Sequence, residues 1–184
     1  MHFCAHRTKN IAVILETPRL FLRHFTEDDL DALAALMSDP QFMRFSTGPY
    51  SREQTAAVLE RILTGYRDNQ PSQFAVVVRS ENKLIGYCGF FRQLVDDVEE
   101  IEIGYRLDSR YWGRGLATEG ARAVRDYAFN DLKLDHVISL IHPDNTASRR
   151  VVEKIGMAVE KKTTFKGFPT IVFGIRRPVP AGDA

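Results

Sequence analysis

The period of the hydrophobic pattern changes abruptly near the middle of the chain. Residues 100–107 alternate apolar and polar side chains with period two, which is typical of a half-buried strand. A helical stripe that includes Leu116 and Val124 follows soon afterwards. Gly113 and Gly115 lie between the two patterns. The segment therefore predicts a strand, a glycine turn and an amphipathic helix in close succession.

The same two periods recur along the rest of the chain and give a coarse map of its elements. Thr26 and Ser51, each followed by acidic or amide side chains, have the pattern of helix starts, and Pro40 and Gly156 have that of helix ends. Predicted strands cover residues 17–23, 74–79, 84–94, 100–107, 136–141, 159–165 and 170–176, and predicted helices begin near residues 26, 51, 116 and 145.

The order of these elements indicates a single α/β domain. About seven strands and four helices, with antiparallel hairpins interrupted by strand-to-helix crossovers, predict one mixed, mostly antiparallel central sheet. A chain of 184 residues is long enough for one sizeable core, and neither a repeat nor a linker divides it. We place the domain at residues 11–177 and expect residues 178–184 to form a disordered tail.

Charge and composition exclude several classes of partner. Twenty-five Lys and Arg against 24 Asp and Glu give a net charge of +1, which argues against nucleic acid held by bulk charge. The apolar run at residues 11–15 is far shorter than the ~20 residues of a membrane-spanning helix. Cys4 and Cys88 cannot form a disulfide framework and lack the spacing of a zinc site, and the five histidines are too scattered along the sequence to form a metal site. We therefore expect a cytoplasmic protein with no metal and no membrane partner.

The glycine turn has the chemistry of an anion site. Glycine lets main-chain N–H groups point inward, and the N-terminus of the following helix adds unpaired N–H groups and partial positive charge. A phosphate or pyrophosphate fits such a place. The P-loop pattern fails because no Lys-Ser/Thr pair follows Gly115, and the dinucleotide pattern fails because its third glycine is missing. A tight turn without a ligand is the alternative.

Three further segments accompany the glycine turn, Gly113-Arg114-Gly115-Leu116-Ala117. They are Thr17-Pro18-Arg19-Leu20, Asn145-Thr146-Ala147-Ser148 and Glu153-Lys154-Ile155-Gly156-Met157. As a set they resemble the Gcn5-related N-acetyltransferase (GNAT) superfamily, and the entry segment is similar to ribosomal-protein alanine acetyltransferases of the RimJ and RimL type. Trp112 departs from the superfamily pattern, which has Gln or Arg before the first glycine, but Tyr-Trp-Gly is similar to the RimJ-like branch.

The resemblance implies acetyl-coenzyme A as cosubstrate and assigns residues to it. Its pyrophosphate would lie on the turn and the first helical turn, and its pantetheine arm would contact Asn145 and the main chain near Leu107. A solvated loop arginine is the alternative to a phosphate contact by Arg114. The cofactor-binding residues expected on this basis are Leu107, Trp112, Gly113, Arg114, Gly115, Leu116, Ala117, Thr118 and Asn145.

Two residues are candidates for acid and base. An amine attacks only when it is neutral, so a group must remove its proton. Glu102 lies on the polar face of the strand before the turn and matches the proposed base of RimL-like enzymes, while an ordinary outward side chain is the alternative. Val152 occupies the position where many members have an acidic tyrosine, and Ser148 matches the serine that RimL-type members use instead. A local capping role is the alternative for Ser148.

These features predict an N-acetyltransferase that moves an acetyl group directly to an amine. The acceptor is either a protein N-terminus or a small amine such as an antibiotic or polyamine. A noncatalytic acyl-coenzyme A sensor and a domain with purely structural glycine turns are the alternatives. A homodimer is one assembly that this prediction allows.

Overall fold

The computed structural model describes residues 13–178, which form one eight-stranded sheet flanked by four helices. The expected domain start at residues 11–12, Cys4 and most of the expected tail, residues 179–184, lie outside the described residues. The strands are β1 (Val13–Glu16), β2 (Leu20–Arg23), β3 (Gln73–Val78), β4 (Lys83–Val95), β5 (Val98–Leu107), β6 (His136–Ile141), β7 (Ala158–Phe165) and β8 (Phe168–Arg176). The helices are α1 (Leu30–Met37), α2 (Arg52–Arg67), α3 (Leu116–Asn130) and α4 (Thr146–Lys154).

The sheet has the order β1-β2-β3-β4-β5-β6-β8-β7, and every neighbouring pair is antiparallel except β5 and β6. This confirms the mixed α/β class with a mostly antiparallel central sheet. The two central parallel strands are joined by the crossover through α3, so the predicted strand-turn-helix segment connects the two halves of the sheet.

The structure has one strand more than the pattern predicted. Residues 17–23 were expected to be one strand, but Thr17 N–H bonds to the Leu20 carbonyl oxygen at 3.0 Å and closes a turn around Pro18. This turn separates β1 from β2, and the two strands pair with each other. The turn also brings Arg19 out of the sheet, toward the glycine segment.

The helices cover both faces of the sheet. Helices α3 and α4 pack on one face, where Val124 and Val152 are fully buried, and α1 and α2 pack on the other, where Leu33 and Ile62 are buried. One face of β5 is therefore directed toward the layer of α3 and α4, and the other toward the layer of α1 and α2. None of the helices within residues 13–178 is both long and apolar enough to cross a membrane.

The predicted helix ends agree with the structure. Ser51 caps α2 by accepting from the Gln54 N–H, and Asn145 caps α4 in the same way. Gly156 follows α4 with φ of +88°, the left-handed conformation that glycine tolerates after a helix. The Asn145 cap fixes where α4 begins, and the cap and the helix each supply one sequence-predicted site residue, Asn145 and Ser148.

Candidate active site

Strands β5 and β6 separate beyond a single point of parallel pairing. Glu102 pairs with Ile138, and this is the one registered pair between the two strands in the part of the chain that the structure describes. Asp108 N–H donates to the Ile85 carbonyl oxygen at 2.7 Å, so even-numbered residues of β5 bond to β4. The odd-numbered residues therefore direct their N–H and C=O groups toward β6. The opening between residues 103–107 and β6 is called the β5–β6 cleft below.

Side chains already engage two of the carbonyl groups that border the cleft. Ser139 Oγ donates to the Ile103 carbonyl oxygen at 2.6 Å, and Trp112 Nε1 donates to the Leu107 carbonyl oxygen at 2.7 Å. The N–H and C=O of Tyr105 lie between these two bonds. The extended edge that a ligand can pair with is therefore centred on Tyr105, while the carbonyl of Leu107, expected to contact pantetheine, is engaged by the turn itself.

The glycine turn follows directly from this edge. Gly113 has φ of +74° and Gly115 has φ of +78°, both in the left-handed region. A Cβ on Gly113 would meet no atom within 4 Å, and one on Gly115 would meet only Arg19 Nη2 at 3.6 Å. Backbone conformation, rather than crowding by protein atoms, therefore requires glycine here. The space in front of the turn has room for a ligand.

Donors converge on that space from the start of α3. Glu119 N–H makes the first helical hydrogen bond, to the Gly115 carbonyl oxygen at 3.0 Å. The N–H groups of residues 116–118 precede that bond and have no helical acceptor. Arg114 is exposed, and its guanidinium stacks over the Tyr111 ring at 5.1 Å. The structure thus places the predicted anion-binding groups together at one helix terminus.

A contact that the sequence did not reveal holds this helix terminus. The Glu119 carboxylate accepts from Thr17 Oγ1 at 2.6 Å, from the Arg19 N–H at 2.9 Å and from Arg19 Nε at 2.7 Å. Arg19 Nη1 also donates to the Arg114 carbonyl oxygen at 2.8 Å. Burial by itself would raise the pKa of Glu119, but these hydrogen bonds outweigh it and hold the pKa below its usual range. The entry turn therefore fixes the glycine turn in place.

Glu102 lies at the narrow end of the β5–β6 cleft, on the face opposite α3. Its Oε2 accepts from Gln93 Nε2 at 2.7 Å, and Gln93 Oε1 faces Lys166 Nζ at 3.4 Å. Burial raises the pKa of Glu102, while the Gln93 amide and the Leu140 main chain favour its ionised form. The side chain is half-buried among these polar groups.

Asn145 and Ser148 lie on the other face of β5. Asn145 Oδ1 accepts from the Ser148 N–H at 3.1 Å, and Tyr105 Oη donates to the Ser148 carbonyl oxygen at 3.0 Å. The local cap is thus made by the Asn145 side chain, and it engages the main chain of Ser148, not its hydroxyl. Burial raises the pKa of Tyr105, so this phenol stays protonated as a donor. The structure brings Tyr105, Asn145 and Ser148 together and places Glu102 across the strand from them.

Comparison with known proteins identifies the family. A family model described as an acetyltransferase (GNAT) domain matches residues 19–158, three quarters of the chain, and the chain belongs to the GNAT acetyltransferase family. The Bacillus subtilis (strain 168) protein YkkB is 33% identical over 153 residues, covering 83% of this chain and 89% of its own length.

Solved structures show the same fold. The acetyltransferase from Agrobacterium tumefaciens str. C58 superimposes with a TM-score of 0.77 at 28% identity, covering 89% of this chain and 94% of that one. RimL, the ribosomal L7/L12 alpha-N-protein acetyltransferase in complex with coenzyme A, superimposes with a TM-score of 0.76 at 16% identity. That alignment covers 90% of this chain and 98% of the RimL chain, and at this identity it shows the fold alone.

Proposed function

We propose that the chain transfers an acetyl group from acetyl-coenzyme A directly to an amine. The observation that carries this proposal is the position of the two groups that the reaction needs. Glu102 stands where β5 and β6 part, and the donors of the glycine turn stand where the same stretch of β5 ends. A thioester seated along the cleft would thus lie between an anion site and a base.

The residues present fit acetyl-coenzyme A. The open space at Gly113 and the unpaired N–H groups of residues 116–118 suit a pyrophosphate, and the edge of Tyr105 suits an amide-rich arm that pairs like an added strand. Asn145 and Trp112 flank that edge. When bound, the cosubstrate supplies the activated acetyl group. The described residues hold no cluster of three or more His, Cys, Asp or Glu side chains suited to a metal ion.

Glu102 is the proposed base. A carboxylate whose pKa is raised by burial accepts a proton from an ammonium group more readily than an exposed one does. Gln93 holds the carboxylate in place through its bond to Oε2. Glu102 removes the proton that blocks the nitrogen lone pair.

Ser148 is the proposed donor to the departing thiolate, directly or through water. Its main chain is fixed by Tyr105 and Asn145, which restricts where its hydroxyl lies. A thiolate is a good leaving group near neutral pH, so we expect Ser148→Ala to lower turnover by only about tenfold to a hundredfold. Cys88 is buried, and burial raises the pKa of its thiol, which argues against an acyl-enzyme.

Release of free thiol from acetyl-coenzyme A tests the proposal, with a panel of peptides and small amines as acceptors. Glu102→Gln should lower turnover by ~10²-fold near neutral pH with unchanged affinity for coenzyme A. The matched control is Glu99→Gln, an exposed carboxylate on the same strand that pairs with Arg92. Tight binding of coenzyme A without turnover on any acceptor would favour the sensor alternative instead.

A further inference from the structure

Arg106 is a charged side chain with poor partners. Its Nη1 lies 2.9 Å from the Met43 thioether sulfur, and its Nη2 lies 3.5 Å from the Phe45 carbonyl oxygen. None of the ion pairs formed by residues 13–178 includes it. A thioether is a weak acceptor, and a guanidinium has five N–H donors. The Arg106 guanidinium carbon also lies 5.9 Å from the centroid of the Phe42 ring. Arg106 is half-buried, and most of its donor capacity is unused.

The contrast with other arginines of this protein is clear. Arg23 makes a bidentate contact with the Asp29 carboxylate at 2.7 and 2.8 Å, and both side chains are largely buried. Arg19 binds the Glu119 carboxylate. Arg23 is half-buried like Arg106 and has a carboxylate partner, whereas Arg106 has none within the described residues. Arg149 in α4 is another half-buried arginine that forms no ion pair there, and its Nε is buried without a hydrogen-bond partner. The geometry at Arg106 leaves a place for an anionic group from outside the chain.

Arg106 shares a surface with the proposed base. Both lie on the same face of β5, four residues apart, which spans about 13 Å of extended strand. The Glu102 carboxylate leans along this face, since Oε1 lies 3.6 Å from where a Cβ on Gly104 would be. The Phe91 ring covers Gly104, and Tyr87 packs edge-on against both Phe91 and Phe42. The base and Arg106 thus stand at the two ends of an aromatic surface.

The charges around Glu102 are positive. Lys166 and Arg106 both act through space to favour the ionised form of Glu102, against the effect of burial. Two of the neighbouring acids are offset by basic partners of their own. Asp96 pairs with Lys161 at 2.8 Å, and Glu99 pairs with Arg92 at 3.3 Å. The positive charges of Lys166 and Arg106 repel an acceptor that has a second ammonium group and attract one that has a carboxylate.

We propose that Arg106 binds a carboxylate of the acceptor, so that the preferred substrates are amines that carry an anionic group several bonds from the nitrogen. This inference rests on the proposed acetyl transfer. It selects among the acceptors left open by the sequence, favouring acidic amines over polyamines and other polycations. A planar guanidinium suits the task because it binds a carboxylate through two parallel N–H donors.

Two matched series of acceptors test it. The first is 4-aminobutanoate, 4-aminobutanamide and 1,4-diaminobutane, and the second is Ala-Glu, Ala-Gln and Ala-Lys as C-terminal amides. Each series keeps the reacting amine and changes only the remote group. Thiol release should give kcat/KM for the carboxylate on the order of 10–100-fold above the neutral amide, with the ammonium acceptor lowest.

Variants assign this preference to Arg106. Arg106→Met should reduce the ratio of carboxylate to amide to about one, and Arg106→Lys should retain part of it. Arg67→Met removes an exposed arginine of α2, which pairs with Glu60, and should leave the ratio unchanged. Thermal unfolding checks that each variant is folded. If Arg106→Met does not fold, the proposal is tested by the wild-type ratio of carboxylate to amide and by the reduced ratio expected for Arg106→Lys.

The outcomes separate the two proposals. Absence of thiol release with every acceptor overturns the proposed acetyl transfer and this inference with it. Turnover that is equal across a series, or highest for the ammonium acceptor, overturns the acidic preference and leaves acetyl transfer intact. A carboxylate preference that persists in Arg106→Met overturns the role of Arg106.

Discussion

The indole Nε1 of Trp112 donates to the carbonyl oxygen of Leu107 at 2.7 Å. The two residues stand on either side of the short turn at Ser109–Tyr111, so the bond closes that turn against the end of β5. Trp112 is nevertheless about half exposed (49%). Its role is thus more specific than apolar burial, because it ties the glycine turn to the strand edge that borders the cleft.

Trp112→Phe should destabilise the protein by about 1 kcal/mol, because a smaller aromatic ring remains at this half-exposed position and one hydrogen bond is lost. It should also weaken coenzyme A binding severalfold, since the turn is no longer fixed to β5. Chemical denaturation and calorimetry measure the two effects. Unchanged affinity would show that the bond serves stability alone.

Gly113→Ala should weaken coenzyme A binding by at least tenfold. The residue has φ of +74°, and an added methyl group would enter the open space in front of the turn. Gly167→Ala is the matched control, since Gly167 has φ of +84° with equally open surroundings in the β7–β8 hairpin turn. Both variants should lose about 1 kcal/mol of stability from backbone strain. Equal affinity losses would contradict the assignment of the turn.

Gln93→Leu should move the acid limb of the pH profile of kcat/KM to higher pH. Burial raises the pKa of Glu102, and the Gln93 hydrogen bond opposes that rise. Removing the amide therefore raises the pKa further, so the base is ionised only at higher pH, whereas the plateau above the limb changes little. Gln70→Leu, at an exposed amide bonded to Arg92, should leave the profile in place. If the acid limb of the Gln93→Leu profile stays at the wild-type pH, Gln93 is not a positioning residue for Glu102.

Glu119→Gln should destabilise the protein by about 1–2 kcal/mol at pH 7, allowing for the half-exposed Arg19. The folded pKa of Glu119 lies below its usual range, so its contribution is complete above the ordinary glutamate pKa. This contribution decreases as the pH falls below the ordinary glutamate pKa, and it is lost once the pH is below the lower pKa of Glu119 in the folded protein. The difference between wild type and variant, measured by denaturation from pH 7 to pH 2, should therefore shrink. Glu60→Gln, in an exposed pair with Arg67, should show little difference at any pH.

Local patterns were sufficient to predict most of the fold. Ser51, Asn145 and Gly156 act through neighbours within one helical turn, so their signals are complete in the sequence. The hairpin between β4 and β5 was placed less well, because Asp96 and Asp97 both adopt positive φ (50° and 64°) without a glycine to indicate it. The resulting register pairs Val95 with Val98 and makes both strands longer than expected.

The site was predictable only in part, for a related reason. Glu102 and the glycine turn lie on one strand-turn-helix segment, and their alternation and spacing are visible in the sequence. Gln93 reaches Glu102 through the hairpin register, and Arg19 reaches Glu119 across 100 residues of sequence. Such contacts depend on how the strands are arranged in three dimensions. The separation of β5 from β6 likewise arises from the arrangement of strands that are distant in sequence.

That separation has a thermodynamic consequence. A five-stranded sheet and a three-stranded sheet meet at one registered pair, Glu102 with Ile138, reinforced by the bond from Ser139 to Ile103. A ligand that pairs with the main chain of Tyr105 would add hydrogen bonds between β5 and β6. Ligand binding would therefore strengthen the contact between the two parts of the sheet. Amide hydrogen exchange at Tyr105 and Leu107 should then slow when the ligand binds in the β5–β6 cleft. Ligand release would include a local weakening of the contact between β5 and β6.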